Sequence, residues 1–442
     1  MLRRSAHVFW LAACLASTRA GAQTAALPAI PNTPAGTVVR AWFEAFGSGD
    51  TSRIMDFYRK YQPERVARSE VSFRLESGGF ELLSIERSEP RHFEMVVRER
   101  KTPQTHYATV DLSPTDPARI MSSSLTPMGP NANLSVLRID AAARAKVIDG
   151  AIAQLDSFYV FPDVAKRIRD SLKARSMRGV YDSYPSAMLF AAKLNDDVRD
   201  LSHDKHMRVN FSVRPIPVLP ATPPAPTPED IARNRSQMDA INCAFVKVEQ
   251  LEGNVGYVKF NGFLPPELCE PTASAAMSFV AGTRALIIAL RENGGGSPAM
   301  VAYVSSYLFS QRTHLNDLWN RRTGMTQEFW TRDDIPGRRF GGEKPVYVLT
   351  SAQTFSGAEE FSYNLKSLKR ATIVGETTGG GAHPVSGHRI DEHFMIGVPG
   401  ARAINPITHT NWEGVGVEPD VKVAAAEALV TAQKLIRDGV RP

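Results

Sequence analysis

Residues Lys344–Gly381 read KPVYVLTSAQTFSGAEEFSYNLKSLKRATIVGETTGGG, and this stretch decides the fold of the second half of the chain. The apolar run that ends at Thr350 predicts a buried strand, and Gly357–Lys369 predicts a helix with one apolar face. A second apolar run follows at Ala371–Val374. Buried strands that alternate with helices are typical of a parallel sheet covered by helices. We therefore predict an α/β layer here.

The upstream stretch Leu286–Tyr303, LIIALRENGGGSPAMVAY, repeats this pattern. An apolar strand runs into Gly294–Gly296, and a helix follows. Three glycines allow a sharp turn and a close approach of the backbone to a ligand. The Lys and Ser/Thr of a phosphate-binding loop do not follow, so the pattern does not favour a nucleotide site.

Ser356 stands immediately before the predicted helix. At this position its hydroxyl would point into the cleft above the strand ends, and the free N–H groups of the first helical turn can stabilise an oxyanion. For an arbitrary Ser at this position, a helix cap is the favoured explanation. The surrounding motifs have to decide between the two interpretations.

The chain divides into segments of different composition. We predict a signal peptide at 1–22, a linker at 23–36, a small α+β domain at 37–130, a helical cap subdomain at 133–214, a proline-rich loop at 215–238 and an α/β catalytic domain at 239–442. In the small domain, helical periodicity over Thr37–Tyr61 precedes strand-like runs that begin at Phe80. Its opening phrase, AWFEAFGSGD at 41–50, resembles the nuclear-transport-factor-like fold over this helical start alone.

The first 22 residues have the pattern of a secretion signal. Arg3 and Arg4 precede a ten-residue apolar stretch, Val8–Ser17, and the small residues Ala20–Ala22 end the segment. Such a stretch is too short to span a membrane, so we expect no transmembrane segment and an exported protein, periplasmic or secreted. As the alternative, the sequence before Cys14 fits a lipid-attachment box.

The formal net charge is +6, and the predicted signal contains three arginines and no acid, which leaves +3. Neither a run of Lys/Arg nor basic residues interleaved with aromatics is present, so we expect no nucleic-acid partner. Outside the signal the chain has two cysteines, Cys243 and Cys269. In an oxidising compartment they could form a disulfide, but two buried thiols fit the sequence equally well.

Several phrases, in this order along the chain, resemble the C-terminal-processing and tricorn-type serine peptidases, in the branch similar to interphotoreceptor retinoid-binding protein. They include the strand–LR–NGGG–helix phrase and the T-x-S-x-A-E phrase described above. The remaining matches are Tyr159–Pro162 (YVFP), Asp204–His206 (DKH), Gly375–Pro384 (GETTGGGAHP) and Asn411–Asp420 (NWEGVGVEPD). The resemblance implies a crotonase-like β-β-α superhelix, as in ClpP, with a helical N-terminal cap.

The resemblance also implies site residues. The nucleophile falls on Ser356, and the oxyanion donors are the backbone N–H groups of Gly296 and Gly357. The Lys that is the base of the processing peptidases is absent after GETT, so the tricorn-type arrangement applies, with His206 as base and Glu413 as the group that orients it. No metal or organic cofactor is needed, and the substrate would be a peptide or protein.

Two positions depart from the family pattern. The tricorn pattern has a Ser immediately before its His, whereas this chain has Lys205. The strand before the glycines ends in Ala289-Leu290-Arg291 instead of Asp-Leu-Arg. The first departure removes a polar member of the proton relay, and the second removes a carboxylate.

Four alternatives remain open at this point. His383, beside the glycine run, is a rival base. A metal site would draw on His383, His388, Asp391 and His393, although no H-E-x-x-H motif is present. The third alternative is a non-catalytic carrier that binds apolar ligands such as retinoids or fatty acids in the same cleft. In the fourth, the small α+β domain binds the ligand and the peptidase-like fold is a scaffold. The joint presence of Ser, His and Glu favours a serine-type hydrolase, most simply a peptidase; the sequence leaves the oligomeric state open.

Overall fold

The computed structural model of the protein describes residues 28–63, 67–220 and 225–439. The predicted signal peptide and Cys14 lie outside these residues. The chain separates into two compact units, which meet in the sequence at Ala132 and Asn133.

The first unit combines three helices with a four-stranded antiparallel sheet in the order β1-β2-β3-β4. Its elements are α1 Pro34–Ser48, α2 Thr51–Tyr61, α3 Ala67–Ser77, β1 Phe80–Ser88, β2 His92–Glu99, β3 Gln104–Leu112 and β4 Ile120–Pro130. Thr33 caps α1 by accepting a hydrogen bond from the Gly36 N–H. The apolar face of α1 packs on the sheet, where Trp42 stacks on Phe80 with ring centroids 5.1 Å apart.

The second unit contains the remaining elements. Its helices are α4 Ala141–Phe158, α5 Pro162–Met177, α6 Ala187–Ser202, α7 Pro228–Ala240, α8 Pro266–Val280, α9 Pro298–Ser306, α10 Gly357–Ser367 and α11 Ala428–Asp438, with short 3-10 turns at Leu134–Leu137 and Asn242–Ala244. Its strands are β5 Arg208–Phe211, β6 Phe245–Leu251, β7 Val255–Phe260, β8 Ala285–Ala289, β9 His314–Asn320, β10 Thr326–Trp330, β11 Val346–Thr350, β12 Thr372–Gly375, β13 Val385–Arg389, β14 Phe394–Pro399, β15 Ala401–Ile404 and β16 Val421–Lys422. The mixed α/β class predicted from the sequence is confirmed.

The helical subdomain α4–α6 is held by one apolar core. Leu155 of α4 and Phe190 and Leu194 of α6 are fully buried, as their helical spacing predicts. The same core includes Val209 of β5 and Ile396 of β14, which belong to a three-stranded antiparallel sheet ordered β13-β14-β5. The subdomain therefore fixes the segment between α6 and β5, which carries His206.

The largest sheet has six strands in the order β16-β12-β11-β8-β7-β6. Only β6 runs antiparallel to its neighbour, and the other pairs are parallel. Every residue of β8 and β11 is buried, because helices cover both faces of a parallel sheet. The two strands are adjacent, with Ala289 opposite Leu349. Their carboxyl ends therefore bring the loop after Leu290 next to the loop that leads into α10.

The proline-rich stretch differs from the prediction of a loop through residue 238, because its last part is the helix α7. Thr227 and Asp230 form a reciprocal capping box, and Pro228 occupies the first helical turn, where a missing N–H costs nothing. In the first unit, α3 was not predicted. Its Phe73 packs on the core of that unit, so tertiary contacts rather than a strong pattern stabilise this helix.

None of the helices in the described ranges is both long and apolar enough to cross a membrane. Cys243 and Cys269 are joined by a disulfide, which decides the question that the sequence left open. The bond links the segment before β6 to helix α8 and closes a loop over a sequence separation of 26 residues.

We expect the double variant Cys243→Ala/Cys269→Ala to lower the free energy of unfolding of the second unit by about 3 kcal/mol, because closing a loop of this length restricts the unfolded chain. Urea unfolding of the variant and the parent, followed by fluorescence, measures the loss. A reducing agent should reproduce the effect in the parent and have none in the variant. Equal midpoints for parent and variant would contradict this expectation.

Candidate active site

Ser356 occupies a sharp turn between strand β11 and helix α10. Its backbone has φ 52° and ψ −119°, a strained conformation for a residue with a side chain. The Glu359 carboxylate accepts a hydrogen bond from the Ser356 N–H at 2.8 Å, which helps to hold this conformation. The turn presents the hydroxyl at the mouth of a cleft, as a nucleophile elbow does.

The glycine turn after β8 lies directly against this elbow. A Cβ on Gly295 would lie 2.8 Å from Cβ of Ser356, so a side chain at 295 is sterically excluded. Gly296 has φ 139°, and a Cβ there would collide with the Phe263 carbonyl oxygen at 2.1 Å. The N–H groups of Gly296 and Gly357 donate no hydrogen bond within the described ranges. Two free donors beside a hydroxyl have the composition of an oxyanion hole.

His206 reaches Ser356 from the helical subdomain, 150 residues earlier in the chain. Its Nε2 lies 3.1 Å from Oγ of Ser356, within hydrogen-bonding distance. Asp204 fixes the backbone of this turn by accepting from the His206 N–H at 3.0 Å. The ring packs on Phe355, with centroids 4.8 Å apart. Gly381 allows this packing, because a Cβ there would lie 2.7 Å from Cε1 of His206.

Burial lowers the pKa of His206 to about 4, against the raising effect of the nearby Asp204 carboxylate. The imidazole is therefore neutral near pH 7, and Nε2 can accept the proton of the Ser356 hydroxyl. Neutral imidazole carries one proton, which must then be on Nδ1.

Glu413 lies close to His206 but does not hydrogen-bond to it. Its Oε2 accepts from the Ala382 N–H at 2.5 Å and lies 3.4 Å from Nδ1 of His383. Burial, followed by repulsion from Asp204, raises the pKa of Glu413 to about 7. The predicted direct contact between Glu413 and His206 is therefore absent from this structure.

Two buried atoms of this group lack partners: Nδ1 of His206 and Oε1 of Glu413. Nδ1 of His206 is a donor when Nε2 accepts from Ser356, and Oε1 of Glu413 is an acceptor. A ring nitrogen of His206 and carboxylate oxygens of Asp204 and Glu413 lie within 4.8 Å of one another. Lys205, the residue before His206, does not fill this gap, because its Nζ donates to the Gly379 carbonyl.

His383, the rival base, is buried behind this group. Its Nδ1 donates to Oδ2 of Asp204 at 2.8 Å, and the structure gives it no hydrogen bond to Ser356. The histidines of the alternative metal set are engaged separately: His388 stacks on Phe158, and His393 donates to the Ser212 carbonyl. The structure therefore does not bring that metal set together.

Asp204, His206 and Glu413 are the single group of potential metal ligands in the part of the chain that the structure describes. Both carboxylate oxygens of Asp204 are already engaged, Oδ1 by the His206 N–H and Oδ2 by His383. An ion bound by Asp204 would therefore compete with these two hydrogen bonds. The donor set therefore fits proton transfer better than metal binding.

Glu359 is a site residue whose role the sequence analysis missed, although it belongs to the T-x-S-x-A-E phrase. Its carboxylate accepts from the N–H groups of Ser356, Gly380 and Gly381 and from the hydroxyl of Thr378, at 2.5–2.8 Å. Glu359 is fully buried, and burial raises its pKa against the effect of these donors. A single carboxylate thus ties the elbow to the glycine loop that packs on His206.

We expect Glu359→Ala to lower the free energy of unfolding by at least about 3 kcal/mol, because four donors would lose their buried acceptor. The free energy of unfolding of Glu359→Gln should lie between those of Glu359→Ala and the parent. Thermal unfolding measures stability, and the rate of reaction of Ser356 with a fluorophosphonate measures the geometry of the elbow. The control is Glu418→Ala, which alters an exposed carboxylate. A parental labelling rate in Glu359→Ala would refute this role.

Two family models match the second unit. Residues 254–423 match peptidase family S41, and residues 131–252 match the N-terminal domain of peptidase S41 in eukaryotic IRBP.

Solved structures similar to this chain include three proteases or related proteins. A protein described as a peptidase from Parabacteroides merdae is 16% identical with a TM-score of 0.48, covering 68% of this chain and 99% of that one. The photosystem II D1 C-terminal processing protease is 16% identical with a TM-score of 0.39, and the match covers 64% of this chain and 93% of that one. The tricorn protease is 12% identical with a TM-score of 0.43, and the match covers 81% of this chain and 46% of that one.

The family assignment rests on the two family models, whose ranges together run from residue 131 to residue 423. The chain therefore belongs to peptidase family S41 and is a serine-type peptidase.

Proposed function

We propose that the protein is an exported peptidase that cleaves peptide bonds through an acyl-enzyme on Ser356. The observation that carries this proposal is the distance of 3.1 Å between Oγ of Ser356, on its strained elbow, and Nε2 of the neutral His206. A nucleophile in contact with a base, beside two free N–H donors, is the arrangement that acyl transfer requires.

In the first step Oγ of Ser356 attacks the carbonyl carbon of the scissile bond, and Nε2 of His206 takes the hydroxyl proton. The N–H groups of Gly296 and Gly357 stabilise the developing oxyanion, and each such donor is typically worth about 3 kcal/mol of barrier. The imidazolium then gives its proton to the leaving amine, which leaves an acyl-enzyme. Water attacks the acyl-enzyme with His206 again as base, and this restores the serine.

Glu413 stabilises the imidazolium that forms in both steps. Its Oε1 and Nδ1 of His206 are both buried and without a hydrogen-bond partner. Since a charged Nδ1–H next to a carboxylate is favourable, a water molecule or a small closing movement would join them when the proton transfers. His383 lies 3.4 Å from this carboxylate and attracts it, whereas Asp204 holds the His206 turn in place.

Two observations support export. The N-terminal 22 residues have the composition of a signal peptide, and the Cys243–Cys269 disulfide fits an oxidising compartment. N-terminal sequencing of the protein recovered from its producing cells tests this part. A mature protein that still carries residues 1–22 would refute export by a cleaved signal.

We expect the mature protein to react with a fluorophosphonate probe, and Ser356→Ala to abolish the reaction. His206→Gln should slow labelling by at least about 100-fold, because the base is lost. The control is Ser176→Ala, a serine on α5. Mass spectrometry of the labelled peptide locates the modified residue.

His383→Gln distinguishes the two candidate bases. Since His383 contacts Asp204 and not Ser356, this variant should slow labelling less than His206→Gln does. The opposite order would make His383 the base. A parent that binds fatty acids but does not react with the probe would support the carrier alternative.

The dependence of kcat/KM on pH should report Glu413. Its carboxylate forms as the pH rises through about 7, and only the charged form can stabilise the imidazolium, so activity should increase across this range. His206, whose pKa burial lowers to about 4, is already neutral there and does not limit the rate. Glu413→Gln should lower kcat/KM and remove the rise near pH 7. Profiles of the same shape for both proteins would contradict this role.

A further inference from the structure

A cavity of about 300 Å³ opens beside Ser356 and Gly357. Much of its wall is apolar, formed by side chains from separate elements: Pro298, Leu318, Ala403 and Trp412. One carboxyl group lines it as well, that of Glu360. The nucleophile thus opens directly onto an apolar cavity that contains a single acid.

The helix places Glu360 there. The N–H of Glu360 donates to the Ser356 carbonyl at 2.9 Å in the first turn of α10. Residues four apart lie on one helix face, so the Glu360 side chain follows Ser356 towards the cavity. The neighbouring Glu359 points to the glycine loop and is occupied by its four donors.

Glu360 lacks the compensation that buried acids normally have. It is 4% exposed, its Oε1 has no hydrogen-bond partner, and within the described ranges no Lys, Arg or His pairs with it. By contrast, the buried Asp197 contacts Arg175, Lys193 and Tyr181. Burial raises the pKa of Glu360 to about 8, and the neighbouring Asn316 side chain offsets only part of this.

Asn316, on strand β9, is a second buried polar side chain, and it neighbours Glu360. It is fully buried, and neither its amide nitrogen nor its amide oxygen has a hydrogen bond. A buried polar group without a partner costs about 1–3 kcal/mol. Glu360 lines the cavity next to Ser356, whereas Asn316 lies beside Glu360 and is not part of the cavity wall, so a ligand in the cavity can supply the partner that Glu360 lacks.

We propose that Glu360, supported by Asn316, recognises the cationic side chain of a lysine or arginine whose carbonyl group Ser356 attacks. This inference rests on the proposed peptidase function and assigns its substrate class. The methylene stem of such a side chain would pack on the apolar wall, and its cationic head would contact the Glu360 carboxylate. When the cation binds, Glu360 loses its proton to solvent, because a nearby opposite charge favours the ionised acid.

The same features disfavour other side chains. An acidic side chain would bring two carboxyl groups together, and one of them would have to stay protonated. An apolar side chain would fill the cavity but leave Glu360 and Asn316 unpaired. Sites built to pair with a polar group discriminate strongly against analogues that lack it.

The test uses two phosphonate diphenyl esters that differ only in the side chain beside the reactive phosphorus, one lysine-like and one norleucine-like. Both react with an activated serine, and norleucine retains the stem without the ammonium. We expect the parent to react at least about 10-fold faster with the lysine-like probe. In Glu360→Gln this ratio should fall to near 1, whereas the control Glu418→Gln should keep the parental ratio.

The fluorophosphonate probe, which has no such side chain, separates the two proposals. If the parent does not react with it, the proposed function fails. If the parent reacts with it but shows equal rates with the two phosphonates, including no reaction with either, the specificity assignment is overturned. An unchanged ratio in Glu360→Gln would also overturn it. Glu360→Gln should melt at or above the parental temperature, since an uncompensated buried acid is removed, and this shows that the variant is folded.

Discussion

The parallel pairing of β8 with β11 is the constraint on which the site depends. Adjacent parallel strands end at the same edge of a sheet, so the glycine turn after β8 and the elbow after β11 must meet there. The close approach tolerates no side chain at Gly295. The proposed nucleophile and oxyanion donors are thus placed by the backbone hydrogen bonds of the sheet.

The proposed base, His206, comes from a different layer and depends on side-chain electrostatics. Asp204 holds the His206 turn through one oxygen and His383 through the other. Burial lowers the pKa of His206, which keeps the imidazole neutral, and raises the pKa of Glu413. Because these groups share one poorly solvated pocket, a change of charge on one alters the proton affinity of the others. The proposed proton relay therefore depends on the whole cluster of Asp204, His206, His383 and Glu413.

Much of the architecture follows from the sequence because its signals are local. The buried strands around Leu286–Ala289 and Val346–Thr350 and the helix after Ser356 lie where their apolar patterns predict. The helix at Pro228 was missed, since proline-rich composition was given more weight than its capping box. In the site, Ser356, His206 and the two glycines were identifiable from motifs, whereas the roles of Glu359 and Glu360 were not. The sequence does not distinguish two adjacent glutamates in a first helical turn, because only tertiary packing determines which residues each side chain contacts.

The sequence by itself determined the strand–turn–helix units, the nucleophile candidate and the family, because apolar periodicity, glycine turns and motifs each depend on a short stretch of residues. Tertiary structure decided which histidine touches Ser356, that Glu413 stands apart from it, that the cysteines are paired, and which glutamate lines the cleft. The physical reason is the distance along the chain: His206 and Ser356 are separated by 150 residues. Contacts and burial at that separation arise only when the layers pack.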